Sequence, residues 1–178
     1  MVTESPTVLP YALRTIYLRE SLTRLGEGFD PTVANELIGE FRVLGGEAEC
    51  RTLEINVADG TKKTLRTCVF STRFEFRYLL AGLPDTEKPV VAAEITALIT
   101  TDYLCNTPDF PLETELHKWG QSNVLLHAWP YWREFCHSSM VRMQLPVTLI
   151  PLAGLTPESG QVQDKPSIPK RTRKKATP

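Results

Sequence analysis

The sequence predicts an α+β fold, a four-stranded antiparallel sheet followed by a long crossover loop and one main helix. Three observations carry this. Residues 67–78 alternate as a strand does, with Cys68, Phe70, Phe74, Phe76 and Tyr78 on one side and Thr67, Ser71, Arg73, Glu75 and Arg77 on the other. Alternating runs precede and follow it across turn-rich connections, which favours antiparallel neighbours. Near the end the period changes, and Trp129, Trp132, Cys136, Met140 and Met143 recur at spacings of three and four, the stripe of a helix.

In chain order, residues 11–25, YALRTIYLRESLTRL, mix β-branched, aromatic and charged side chains without a sustained helical stripe. They suit a strand with one face partly wet. Next, Asp30 is a natural N-cap, Pro31 fits a first helical position, and Gly45-Gly46 offers a left-handed stop. A short amphipathic helix is therefore expected over 31–44, with Val33, Leu37, Ile38, Phe41 and Leu44 on one face, although FRVL equally suits the start of a strand. From Thr52, Leu53, Ile55 and Val57 alternate with polar residues until Asp59-Gly60 signals a hairpin turn. After the 67–78 strand, AGLPDTEKP is a connection, and Val91, Ile95, Ile99 and Tyr103 mark the fourth strand.

Residues 106–122 contain two prolines and several polar residues, and are expected to form a functional loop displaying Phe110, Leu112, Leu116 and Trp119. The helix is expected from about Ala128 to Met143, with Pro130 near its start and Pro146 beyond its end. LPVTLIPLAGL then reads as an apolar extended segment.

At 178 residues, 42% hydrophobic and 23% charged, the chain has room for one domain with a sizeable core, placed at residues 11–156 after a flexible N-terminus at 1–10. Neither a signal peptide nor a membrane span is legible, so a cytoplasmic location is expected. The net charge of −1 conceals an asymmetry. Residues 157–178 carry six Lys or Arg against Glu158 and Asp164, a tail of +4 on a body of −5. The tail's composition predicts disorder.

Chemistry needs groups that this sequence does not bring together. Cys136 and His137 are adjacent, and on a helix adjacent side chains point about 100° apart, so they cannot share a proton. The cysteines Cys50, Cys68, Cys105 and Cys136 are scattered singly, the histidines lack ligand spacing, and no phosphate-loop, dinucleotide or nucleophile-elbow motif occurs. No enzyme activity, cofactor or metal is expected. The basic tail offers phosphate contacts, and a regulatory or nucleic-acid-associated protein is the alternative reading. An acidic body without a basic aromatic strip makes nucleic acid the lesser one. The aromatic supply is more telling. Tyr131 and Phe135 lie on a helix side roughly opposite the Trp132 and Cys136 stripe, leaving one face for the sheet and another for a partner.

This order of elements resembles the SecB family of protein-export chaperones. RTIYLRESL at 14–22 is similar to the family's opening strand. Residues 123–152 resemble its helix through Asn123, Pro130, Tyr131, Arg133, Glu134, Ser139, Met140, Val141 and Pro146. Trp132 intervenes between the Pro-Tyr and Arg-Glu pairs, the 31–44 helix has no family equivalent, the terminal helix is missing, and a basic tail stands where export members tend to be acidic. The resemblance implies ATP-independent holding of unfolded preproteins or an antitoxin in apolar grooves, a dimer of dimers, and SecA as a further partner. The departures turn the reading from SecA toward the SecB-like chaperones of toxin-antitoxin modules. Client binding is accordingly expected at Phe110, Leu112, Leu116, Trp119, Tyr131 and Phe135.

Overall fold

The computed structural model describes residues 10–33, 36–58, 60–81 and 89–151. The expectations for most of the N-terminus, for Asp59, for 82–88 within the third connection and for the basic tail lie outside the described residues. Four strands, β1 (Tyr11–Leu25), β2 (Leu37–Asn56), β3 (Lys62–Leu80) and β4 (Val91–Cys105), precede one helix, α1 (Glu113–Arg142). The strands form one antiparallel sheet in the order β1-β4-β3-β2. This is the α+β architecture expected.

The central strands explain where the core sits. On β3 the expected aromatic side is dry: Cys68, Phe70, Phe74, Phe76 and Tyr78 are all buried. Ile95, Ala97, Ile99 and Tyr103 of β4 join it, and α1 lies across this face. Trp132 stacks on Phe74 at 5.4 Å and Trp129 meets Phe41 of β2 edge-on at 5.3 Å.

The opposite face is held by charge. Arg24 on β1 reaches Glu94 on β4 at 2.5 Å, Arg77 on β3 reaches Glu94 at 3.4 Å and Glu75 at 2.6 Å, and Arg42 on β2 approaches Glu75 at 4.0 Å, so one chain of ion pairs crosses all four strands. Burial works against the Glu94 carboxylate, but Arg24 and Arg77 outweigh it and hold its carboxyl below the usual range. At the other end Arg14 meets Asp102 at 2.7 Å, and there burial wins and raises the Asp102 carboxyl. The outer side of β3 is thus not simply wet, since Glu75 is 3% exposed beneath its arginines.

Two expectations are corrected. The helix expected over 31–44 is instead a turn followed by β2. Asp30 does accept a hydrogen bond from the Thr32 N–H at 2.9 Å, as a cap would, but the chain turns and extends. Gly45 does take a left-handed φ of +94°, yet it serves a bulge, where β2 slips by one residue between Val43↔Phe74 and Gly46↔Thr72. Pairing with β3 along the whole of β2 overrides a local pattern that either element could satisfy.

The helix is the second correction, because it begins at Glu113 and not near Ala128, absorbing most of the expected loop. Its buried residues include Leu116, Gly120, Val124, Ala128, Trp132, Cys136 and Met140. Steps of four advance about 40° each around a helix of 3.6 residues per turn, so the buried band winds as α1 crosses the sheet. Gly120 permits the crossing, for a Cβ there would lie 2.7 Å from the Phe70 ring. Pro130 sits within the helix and removes one backbone bond to Leu126. Glu113 and Glu115 in the first turn complement the helix dipole. The end is a Schellman motif: Leu145 N–H bonds to the Met140 carbonyl at 2.9 Å and Gln144 N–H to that of Val141 at 3.1 Å, with Gln144 at φ +57°.

Beyond α1 the chain returns over the β2 side of the helix as the expected extended segment. Tyr78 donates to the Pro146 carbonyl and shares a hydrogen bond with Thr148 at 2.7 Å, while Trp129 Nε1 donates to the Pro151 carbonyl at 2.7 Å. Leu145 and Ile150 are buried there.

Candidate functional site

The fold leaves a row of apolar side chains uncovered on β1. α1 lies over β4 and β3 and barely reaches β1, so the edge strand keeps its side chains open. Leu13 and Leu18 on the helix side, at 45% and 46% exposed, and Tyr17 and Leu22 on the outer side, at 44% and 46%, line a strand whose far edge has no partner strand among the described residues. The pairing with β4 skips Arg14 and Arg19, so both are extra residues in bulges, and Arg14 swings to Asp102. These two irregularities hid the alternation of β1 from sequence reasoning. The leucines themselves were visible, but not that the helix would leave them bare.

At the N-terminal end of α1 a groove of about 450 Å³ is lined by Pro10, Tyr11, Pro108, Phe110, Pro111 and Trp119, with Thr107, Asp109 and Glu115 as its polar members. Trp119 forms its floor, 4.4 Å from the Tyr11 ring, 4.6 Å from Tyr103 and 5.7 Å from Phe70. The lining loop is held by hydrogen bonds: within it Thr107 donates to the Asp109 carbonyl at 2.7 Å, and from β3 Arg66 donates to that of Pro108. Burial pushes the Tyr11 and Tyr103 hydroxyls up to about 12.

The six expected client-binding residues divide among three settings. Phe110 and Trp119 share this groove, and Leu112, 69% exposed, stands beside it as the helix N-cap residue. Leu116 is not displayed at all: it lies on the sheet-facing side of the first turns, buried against the second core cluster. Tyr131 is half exposed and Phe135 leans on Trp132 at 6.4 Å. They sit twelve and sixteen residues beyond Trp119, roughly 18 and 24 Å along the axis. On the β2 side, a smaller cleft of about 350 Å³ lies between α1 and the returning segment, walled by Arg133, Glu134, His137 and Ser138 on the helix and by Thr148, Leu149 and Ile150 on the return.

Groups with chemistry are scattered. Cys136 is fully buried and burial raises its thiol to about 12, which leaves no thiolate at neutral pH. His127 bonds to the Tyr103 hydroxyl at 2.8 Å through Nδ1. Among the described residues no three His, Cys, Asp or Glu side chains are grouped as metal ligands, and no helix is long and apolar enough to cross a membrane.

No protein-family model and no curated protein matches the chain. Among solved structures it is similar to the Mycobacterium tuberculosis SecB-like chaperone Rv1957, solved in complex with a ChAD peptide from the Rv1956 HigA1 antitoxin. The two share 15% identity and a TM-score of 0.55, over 80% of this chain and 90% of that one. The likeness is one of fold.

Proposed function

We propose that this protein is an ATP-independent chaperone that holds unfolded or aggregation-prone polypeptides on the uncovered apolar surface of β1 and in the Trp119 groove. The observation that carries the reading is that surface itself. A well-packed sheet-and-helix fold leaves Leu13, Leu18, Tyr17 and Leu22 open along one edge strand, with the Phe110–Trp119 groove at its end. Apolar surface that a chain leaves exposed is a place for a partner, and holding requires wide reversible burial and no catalytic group. The likeness to a SecB-like chaperone bound to an antitoxin peptide supports the same reading. An antitoxin segment is a fitting client, since it must be kept from aggregating until it meets its toxin.

In this reading Phe110, Leu112 and Trp119 grip apolar client side chains, Tyr131 and Phe135 extend the surface up the helix, and Leu116 supports Trp119 from below. An edge strand with no partner among the described residues also suits strand addition by an extended peptide, with pockets reading alternate side chains. Apolar rows of this kind suit packing against a second copy as well, so the reading includes a homo-oligomer. The test is dilution of a urea-unfolded client into buffer with the full-length protein and no nucleotide, followed by light scattering. Suppression that saturates near one chaperone assembly per client is expected. Unchanged aggregation at excess chaperone would overturn the proposal.

A further inference from the structure

Three of the four cysteines, far apart in sequence, meet at one end of the sheet. Cys50 of β2 and Cys68 of β3 are directly opposed across the ladder, with their sulfurs 3.4 Å apart. Cys105, at the end of β4, packs in the same apolar cluster. All are free thiols. Directly opposed residues of an antiparallel pair have Cα atoms about 4.5 or 5.5 Å apart, and both values fall within the roughly 4.4–6.8 Å that a disulfide spans. Closing the sulfurs to about 2.05 Å is a matter of side-chain rotation, not of moving strands.

We propose that Cys50 and Cys68 are a modification site, a dithiol that a hydroperoxide converts to a reversible cross-strand disulfide. The two thiols are unequal in access. Cys50 is half-buried on an edge strand, whereas Cys68 is fully buried, and burial pushes its thiol well above the ordinary range. Cys50 therefore meets the oxidant first. Its sulfur takes one peroxide oxygen, the O–O bond breaks, and with hydrogen peroxide the other oxygen leaves as water. The Cys68 sulfur then attacks the Cys50 sulfur; the S–S bond forms, the S–O bond breaks, and the departing hydroxide takes the Cys68 proton. Overall each thiol gives up one electron and one proton, and the peroxide becomes two waters. Cys50 and Trp119 pack on the same cluster, so the bond forms behind the floor of the groove. The assignment stands independently of the polypeptide-holding reading.

Peptide mapping of the native full-length protein after treatment with stoichiometric hydrogen peroxide tests it. A Cys50–Cys68 peptide two hydrogens lighter than its parts is expected, reversed by a dithiol reductant, with Cys136 still reduced. The thermal midpoint should rise by roughly 5–10 °C, the consequence of closing a loop of this size in a chain of this length. That rise should vanish in Cys50→Ser and persist in Cys105→Ser. Cys50 carried to sulfinic acid beside a reduced Cys68, a Cys68–Cys105 linkage, or a linkage between two chains would each overturn the proposal.

Discussion

The two flanks of α1 are built from similar residues and end differently. On the β2 side the chain returns after its Schellman turn and packs over the flank: Leu145 and Ile150 are buried, and Tyr78 and Trp129 donate to the returning carbonyls. On the β1 side nothing among the described residues returns, and Leu13, Leu18 and Tyr131 stay open. Apolar composition alone therefore does not decide what is core. A leucine becomes core where a later segment packs over it, as Leu145 and Ile150 show, and stays open where none among the described residues does, as on β1.

Breaking the covered core between helix and sheet should have the largest effect. Trp132 is fully buried and stacked on Phe74, so Trp132→Ala should cost about 3–5 kcal/mol of stability by urea unfolding. A loss under about 1 kcal/mol would mean that the helix does not seat as described. Replacing Glu94 by Gln should cost about 1–2 kcal/mol at neutral pH, because the ion-pair chain across the strands loses the carboxylate that joins Arg24 to Arg77. The sign of the pH dependence is testable too. Glu94 titrates below the usual 4.5 in the fold, so its contribution is present above that value and fades as pH falls through the folded pKa. The gap between wild type and Glu94→Gln should accordingly close in acid, and a gap that widens would refute the ion-pair account.

Tyr78→Phe sharpens the comparison more gently. It removes the hydroxyl bonds to Pro146 and Thr148, and about 1 kcal/mol should be lost, with faster hydrogen exchange confined to the segment after α1. Protection unchanged in that segment would show that the return is held by Leu145 and Ile150 alone.

How much of this was legible follows from the same contrast. The β3 and β4 strands were plain because their alternation is dictated by one buried face, and the half of α1 carrying Trp129, Trp132 and Met140 was plain because three large side chains mark it. The first four turns of α1 were not, because a stripe of Leu116, Gly120 and Val124 is thin, and its steps of four carry it round the helix among polar neighbours. Glu113 and Glu115 after Pro111 were the available signal. The start of β2 was misread because Asp30, Pro31 and Gly45 each behave locally as a helix would ask, and only the partnership with β3 decides otherwise. Of the candidate site, Phe110, Leu112 and Trp119 could be picked from the sequence, and the β1 row could not, since exposure there depends on where the helix fails to reach. The meeting of Cys50 with Cys68 likewise depends on strand register, which spacing along the chain does not reveal.

The open flank supplies the most direct test. Leu13→Ser with Leu18→Ser removes two exposed side chains from β1, so stability should change by no more than about 0.5 kcal/mol per site. Suppression of client aggregation, measured on the same preparation by light scattering, should fall severalfold. Holding that survives the double substitution at wild-type strength, in a protein with an unchanged melt, would contradict the claim that the uncovered edge is where clients bind.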